Sequence, residues 1–215
     1  MRYLVFSFLI LICVSCKPDL PQTPAQQIAN AHGFKNWNKV SKINYTFNVD
    51  VNGENRSKRS WEWLPKKGAV TLNIEGNKTQ YNRANIDSTN LRADRGFIND
   101  KYWLLAPFNL IWDENATLSD PIKTIAPISN DSLHKITITY PNEGGYTPGD
   151  AYDFYYGDDF LIKEWAFRQK NNPKPSLINA WMKYKDFNGI KIATEHTRDQ
   201  GDWKLYFTNI KVETN

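Results

Sequence analysis

The sequence predicts a mainly β protein, an antiparallel curved sheet or half-open β-barrel of about nine or ten strands with one or two short helices as a lid. Three observations predict it. Apolar and polar residues alternate with a period of two through most of the chain, turn dipeptides such as Asn-Gly separate the alternating segments, and helical spacing is confined to two stretches. Because the helices are expected to lie together on one face of an antiparallel sheet, the favoured architecture is a curved sheet with a lid.

The first fifteen residues have the layout of a secretory signal peptide. Met1-Arg2 supplies positive charge, and a nearly unbroken apolar run extends from Tyr3 to Val14. This run is about a dozen residues, shorter than the roughly 20 that a spanning helix needs. Cys13-Val14-Ser15-Cys16 resembles the lipobox of bacterial lipoproteins, which implies cleavage before Cys16 and a lipid on its thiol. Ordinary cleavage that leaves a free thiol is the alternative.

The remaining chain divides into a tether and one domain. Residues 16–22 are polar and rich in proline, which is typical of a lipid-anchored tether, and residues 23–215 form the predicted single β domain. Cys13 and Cys16 are the only cysteines, so the domain must be held by its own core instead of by disulfides. The formal net charge of +4 is too balanced to indicate nucleic-acid binding.

The domain opens with a helix and a set of hairpins. Thr23-Pro24-Ala25-Gln26 has the capping-box pattern, and helical spacing continues to Gly33. Period-two alternation over 43–51 predicts a half-buried strand, and Asn52-Gly53 is a favoured hairpin turn. Two more antiparallel strands are predicted around a turn at 65–68.

The middle of the chain breaks the alternation. Between Asp100 and Glu114 the apolar residues share one helical face, but Pro107 cannot sit deep inside a helix. We therefore predict two short helical turns, the second beginning at Pro107, and irregular structure up to Ser132. Strand patterning then resumes in segments bounded by turn residues, namely 136–140, 152–156, 161–168, 177–184, 190–196 and 203–212.

Residues with catalytic or metal-binding chemistry are few. Glu195-His196 with Asp199 could contribute to a metal site, but zinc sites need three or four converging ligands, so we interpret His196 as a residue at a strand end. Asp150, Asp153 and Asp158-Asp159 could pair for glycan hydrolysis, but they flank a predicted hairpin, where Asp is a common turn residue. We expect no catalytic residue, no metal and no cofactor.

Aromatic side chains stand out instead, because Phe, Trp and Tyr make up 14% of the chain. Several lie on predicted inward strand faces and could line a large apolar cavity. The alternative is that they fill the core of a curved sheet, which large aromatics commonly do. The candidate ligand-binding residues are Trp61, Trp63, Trp103, Phe108, Trp165, Trp181 and Trp203.

The order of these features resembles the lipoprotein-localisation carrier group with the LolA/LolB-like fold. The resemblance rests on the opening helix before a long strand, the strand-Pro-x-x-Gly-strand unit of 61–72, and Tyr102-Trp103-Leu104-Leu105-Ala106-Pro107-Phe108. It continues through the hairpins of 185–193 and 201–212. The resemblance implies a non-enzymatic protein that binds acyl chains or lipoproteins in a concave face. Because Cys16 is retained, the chain resembles the membrane-attached members more than the soluble carriers.

We therefore expect a monomeric cell-envelope lipoprotein with a lipid or lipoprotein as its ligand, and we favour the outer membrane over the inner one as its location. Two alternatives stay open. A surface glycan-binding lipoprotein would expose tryptophan faces to water for stacking on sugar rings, whereas a lipid pocket buries them. An envelope hydrolase would require a cluster of His134 or His196 with a carboxylate.

Overall fold

The computed structural model describes residues 21–215, which form a twelve-stranded antiparallel sheet with two α-helices. The signal peptide, Cys16 and most of the tether lie outside the described residues. The helices are α1 (Pro24–Ala31) and α2 (Leu91–Trp112). The strands are β1 (Val40–Val51), β2 (Glu54–Leu64), β3 (Ala69–Ile74), β4 (Asn77–Asn82), β5 (Thr117–Leu118), β6 (Ile122–Ile125), β7 (Ser132–Thr139), β8 (Ala151–Tyr156), β9 (Ile162–Arg168), β10 (Leu177–Phe187), β11 (Ile190–Thr197) and β12 (Trp203–Thr214).

The sheet is open and runs in the order β4-β3-β2-β1-β12-β11-β10-β9-β8-β7-β5, with β6 also paired to β7. The predicted mainly β, antiparallel curved sheet is therefore confirmed. Strands β1 and β12 pair along most of their length, so the first strand lies beside the last one at the middle of the sheet. Apart from the β1–β12 and β7–β5 pairs, each pair of adjacent strands on this path is also consecutive in sequence, as in hairpins.

Helix α1 forms as the sequence predicts. The Thr23 hydroxyl accepts a hydrogen bond from the Gln26 backbone nitrogen at 3.2 Å, and the Gln26 side chain accepts one from the Thr23 nitrogen at 2.8 Å. The helix buries Ala25, Ile28 and Ala29. It ends at Ala31, and Gly33 follows soon after with a φ of 94°, which suits glycine. A Cβ at Gly33 would lie 1.9 Å from the Gly189 carbonyl oxygen.

Helix α2 differs from the prediction of two short turns. It is one 22-residue helix that begins at Leu91, well before Asp100, and it is kinked at Leu105, where φ is −132° and ψ is 27°. The kink lies just before Pro107, which removes a backbone donor and crowds the preceding turn. The first half has no simple apolar stripe, because Asp94 and Asp100 are buried there together with Phe97.

The sheet has twelve strands instead of the expected nine or ten. Strands β5 and β6 lie in the segment predicted to be irregular, which contains Pro121 and Pro127. Both are short and largely exposed, so they have no alternation to detect. Strand β4 is likewise polar and mostly exposed along its length, and it forms the opposite edge of the sheet.

Helix α2 covers one face of the sheet, and the main core lies between them. The Phe97 ring packs against Trp61 and Trp63 of β2, with ring centroids 5.5 and 5.3 Å away. The Asp100 carboxylate accepts hydrogen bonds from Arg59 and from the Trp61 indole nitrogen, at 2.6 to 2.8 Å. These contacts dock the first half of the helix on β2 and leave its other side facing β8 to β10 across a cavity.

Candidate ligand-binding site

A cavity of about 970 Å³, which we call the α2 cleft, lies between α2, the loop 141–149 and strands β8 to β10. Half-buried aliphatic and aromatic residues form much of its wall, including Ile98 from the helix. Phe167 and Leu177 are direct partners in the β9–β10 ladder and supply the opposite wall. The full lining is Leu91, Arg95, Ile98, Asn99, Tyr102, Trp103, Gly145, Tyr146, Thr147, Pro148, Asp150, Tyr152, Trp165, Phe167 and Leu177.

The floor of the α2 cleft is aromatic. The rings of Trp103 and Trp165 meet at 4.4 Å between centroids, and those of Tyr102 and Tyr152 at 4.7 Å. The Trp165 indole nitrogen donates a hydrogen bond of 2.6 Å to the Asn179 side-chain oxygen, which fixes the ring on its strand. A rigid aromatic floor of this kind presents apolar area at low entropic cost.

Unpartnered polar atoms lie beneath this floor. In the described structure, neither ring nitrogen of His196 has a hydrogen-bond partner, and neither do the Trp181 indole nitrogen and the Asn179 amide nitrogen. The His196 ring is fully buried and lies against Trp103 and Trp181, at 5.4 and 4.5 Å between centroids. Desolvation lowers the pKa of His196 to about 3, so the ring is neutral at physiological pH.

A second cavity of about 610 Å³, which we call the Lys101 cavity, adjoins the α2 cleft. Both cavities are lined by Ile98, Tyr102 and the loop residues Gly145, Tyr146 and Thr147. The second one differs in having two cationic side chains, Arg83 and Lys101, together with Asp113, Glu114 and Glu143.

Lys101 is poorly solvated. Its ammonium nitrogen lies 4.9 Å from the centre of the Trp112 ring, and the described structure gives it no salt-bridge partner. Desolvation lowers the pKa of Lys101 to about 8, opposed by the attraction of Asp113. The Asp113 carboxylate itself accepts a 2.5 Å hydrogen bond from the Tyr140 hydroxyl.

The loop 141–149, which we call the strap, passes between the two cavities. Gly144 and Gly145 have positive φ angles of 77° and 66°, which glycine adopts without strain. The Tyr146 hydroxyl donates a hydrogen bond to the buried Asp94 of α2, although 40% of Tyr146 is exposed. Asp94 also pairs with the Arg83 guanidinium at 2.9 Å, so one carboxylate holds both the strap and one of the two cations.

This architecture can be compared with known proteins. No family model and no curated protein matches the chain. A crystal structure of a LolA superfamily protein from Nitrosomonas europaea matches with a TM-score of 0.50 and 9% identity, covering 90% of this chain and 96% of that one. The chain has a LolA-like fold.

Two other solved structures also match. A DUF1329 family protein from Desulfovibrio piger has a TM-score of 0.45 and 10% identity, covering 89% of this chain and 94% of that one. The lipoprotein LppX from Mycobacterium tuberculosis has a TM-score of 0.30 and 7% identity, covering 90% and 99%.

Within the LolA-like fold, the seven predicted ligand-binding residues do not all line the α2 cleft. Trp103 and Trp165 line the α2 cleft. Trp61 and Trp63 are packed on Phe97, away from the cleft lining. Of the remaining three, Phe108 and Trp181 are buried, against Phe34 and Trp37 and against His196 respectively. Trp203 is half-buried and packs against Trp103.

Sequence reasoning missed most of the cleft wall. Phe167 and Leu177 lie at the ends of two predicted strands, where their cross-strand pairing would have been the signal. Lys101 and Tyr146 gave no such signal, because a lysine that follows an aspartate and a tyrosine in a glycine-rich loop usually face solvent.

The structure also bears on the two alternative functions, glycan binding and hydrolysis. All eight tryptophans lie within residues 21–215, where five are buried and three half-buried, so none forms an exposed sugar platform. His134 lies 3.1 Å from Asp158, but that carboxylate side chain is 94% exposed on the surface. The described part of the chain contains no group of three potential metal ligands and no helix long and apolar enough to span a membrane.

The acidic residues near the β8–β9 hairpin are separated by their partners. Asp153 is buried and accepts hydrogen bonds from the Arg168 guanidinium and from the Thr137 hydroxyl. Asp159 pairs with Lys163 at 2.8 Å at the turn. Asp158 and Asp159 lie at the turn between β8 and β9, as the turn interpretation predicts, whereas Asp153 lies within β8 and makes a buried structural ion pair.

Proposed function

We propose that this chain is a membrane-anchored envelope lipoprotein that binds the acyl chain of a lipid or lipoprotein in the α2 cleft, without catalysing a reaction. The observation that carries the proposal is the cleft itself, which combines an aromatic floor of Trp103 and Trp165 with the half-buried walls formed by Ile98, Phe167 and Leu177. Half-buried apolar residues in a concave wall are available to a ligand, whereas fully packed residues are not.

The size and chemistry of the cleft suit an alkyl chain. Its volume of about 970 Å³ is at the upper end of the 300–1,000 Å³ typical of small-molecule sites. Burying each methylene contributes about 0.8 kcal/mol, so roughly ten buried methylenes support micromolar affinity before ordering costs are subtracted. Arg95, Asn99 and Asp150 lie among the cleft residues and supply polar contacts for groups that stay in water.

The proposed anchor is Cys16, acylated after removal of residues 1–15. The domain begins with the capping residue Thr23, so the tether of residues 16–22 is short. Even fully extended it reaches only about 25 Å, which would keep a monomeric domain close to the membrane surface. We place this surface at the outer membrane, as the lipobox-like signal and the carrier resemblance suggest.

Native mass spectrometry of residues 16–215 with Cys16→Ser tests the function. We expect an added C16 amphiphile to bind one-to-one at tens of micromolar. Leu177→Arg places a charge on the cleft wall and should lower the bound fraction at least tenfold, because a charged group in an apolar wall is costly to desolvate.

Ile125→Arg is the matched control. Ile125 is 60% exposed on β6 and does not line the α2 cleft, so this variant should bind like the parent. Absence of any bound amphiphile in the parent, or equal binding by the parent and Leu177→Arg, would contradict a ligand site in the cleft.

A further inference from the structure

We propose that the Lys101 cavity binds the anionic headgroup of the amphiphile whose alkyl chain occupies the α2 cleft. This inference rests on the proposed function and narrows its ligand to a chain that carries a carboxylate or phosphate group. The ammonium of Lys101 would pair with that group, and Arg83 would supply the second cation.

The two cavities are contiguous in the way such a ligand requires. They share Ile98 and Tyr102 on the helix side and three residues of the strap, Gly145, Tyr146 and Thr147. Lys101 follows Ile98 by three positions on α2, so the two side chains lie on the same side of the helix. An alkyl chain against Ile98 therefore ends within reach of Lys101.

Lys101 and Arg83 remain available to bind an anion in the Lys101 cavity. Lys101 is half-buried and, within the described residues, has the Trp112 ring as its contact instead of a carboxylate. Arg83 uses its Nε atom to bind Asp94, while its Nη atoms have no hydrogen-bond partner in the described structure. An incoming anion would neutralise the charge of the poorly solvated Lys101 ammonium. A charge-assisted hydrogen bond is strongest where water screens it least.

The acidic residues of the same cavity are arranged differently. Asp94 is committed to Arg83 and Tyr146, and Asp113 accepts the hydrogen bond from Tyr140. Glu114 and Glu143 are exposed, where water and salt screen them. Screening weakens the repulsion by these two carboxylates without removing it, so we expect a headgroup to be held in the Lys101 cavity mainly by its attached chain.

The test compares palmitate with hexadecanol, which has the same chain and a neutral head, on residues 16–215 with Cys16→Ser. Lys101→Met should lower palmitate affinity about tenfold and leave hexadecanol affinity unchanged, because it removes the charge and keeps the length of the side chain. Lys101→Arg should retain most of the preference for palmitate. Lys123→Met, on the exposed strand β6 outside both cavities, should behave like the parent.

The outcomes separate the two proposals. Hexadecanol binding with no preference for palmitate, or an equal loss for both ligands in Lys101→Met, would overturn the headgroup site and leave the acyl-binding function standing. Failure of both ligands to bind would contradict the function itself. Inorganic phosphate alone is the third arm, and tight phosphate binding without a chain would overturn the role assigned to the α2 cleft in holding the headgroup.

Discussion

Asp100 is the residue through which the first half of α2 is held on β2. Its side chain is fully buried, and it accepts hydrogen bonds from the Arg59 Nε and Nη2 atoms at 2.7 and 2.6 Å and from Trp61 at 2.8 Å. Burial raises the pKa of Asp100, and the hydrogen bonds from Arg59 act in the opposite direction. The pair is therefore a specific connection between helix and sheet with a large cost when one partner is removed.

We expect Asp100→Ala to lower the free energy of unfolding by about 3–5 kcal/mol, because it leaves the partly buried Arg59 without its carboxylate. Urea denaturation measures this difference. Asp158→Ala, which removes a carboxylate with a 94% exposed side chain, is the control and should change stability little. A loss below about 1 kcal/mol in Asp100→Ala would mean that the pair is not holding the helix.

Two buried histidines predict an acid-sensitive fold. Desolvation lowers the pKa of His196 to about 3 and that of His32 to about 4, both below the ordinary histidine pKa of 6.5. The unfolded chain then binds more protons than the folded chain below pH 6.5, so stability is lost as the pH falls from 6.5 toward these values. Each histidine contributes a slope of about 1.4 kcal/mol per pH unit.

His196→Leu should flatten this dependence, and at pH 7 it should raise the free energy of unfolding by about 1 kcal/mol, since the unpartnered ring nitrogens are removed. Unfolding midpoints measured between pH 4 and 7.5 test both effects. The surface variant His134→Leu should keep the slope of the parent. Destabilisation of His196→Leu at pH 7 would show that the buried ring is engaged by a polar partner, such as an ordered water.

At the scale of elements, the strap is held to α2 by one side-chain hydrogen bond. Its base is closed by backbone hydrogen bonds, including Gly149 to Pro141 at 2.8 Å, and its tip is bound to Asp94 through the Tyr146 hydroxyl. Because the strap lines both the α2 cleft and the Lys101 cavity, its opening would widen the passage between them.

Tyr146→Phe should speed amide hydrogen exchange in residues 141–149 about tenfold and lower the free energy of unfolding by no more than about 1–2 kcal/mol, since it removes a single hydrogen bond to a charged group. Hydrogen–deuterium exchange mass spectrometry measures the rates. Tyr206→Phe is the matched control, because its hydroxyl bonds Asp50 at 3.4 Å on another part of the sheet. Unchanged exchange in the strap would contradict the idea that Tyr146 holds it closed.

The elements that could be predicted from the sequence are those whose structure depends on residues close together in the chain. The alternating segments of β1 to β3, the Asn52-Gly53 turn and the capped helix α1 each depend on neighbouring residues, and each forms as predicted. The first half of α2 does not, because Asp94 and Asp100 are buried only through partners elsewhere, Arg83 and Arg59. A charged residue that is paired by tertiary contacts looks, in sequence, like a solvated one.

The site was predictable to a similar degree. Of the predicted ligand-binding residues, Trp103 of α2 and Trp165 of β9 line the cleft, but the same prediction included Trp61 and Trp63, which pack in the core. Whether an inward side chain lines a cavity depends on where α2 and the strap cover the sheet. That placement is set by contacts between distant parts of the chain, so no local pattern reports it.

For the whole molecule, the central position of β12 determines when folding can finish. Strand β1 pairs with β2 on one side and with β12 on the other, and the Asn48 amide donates to the Tyr206 carbonyl, 158 residues later. While the chain is synthesised, β1 therefore has one unpaired edge until nearly every other element has emerged. A β1–β2 hairpin whose apolar edge stays unpaired for this long is prone to aggregation. The emerging chain should therefore depend on a chaperone until β12 has been synthesised.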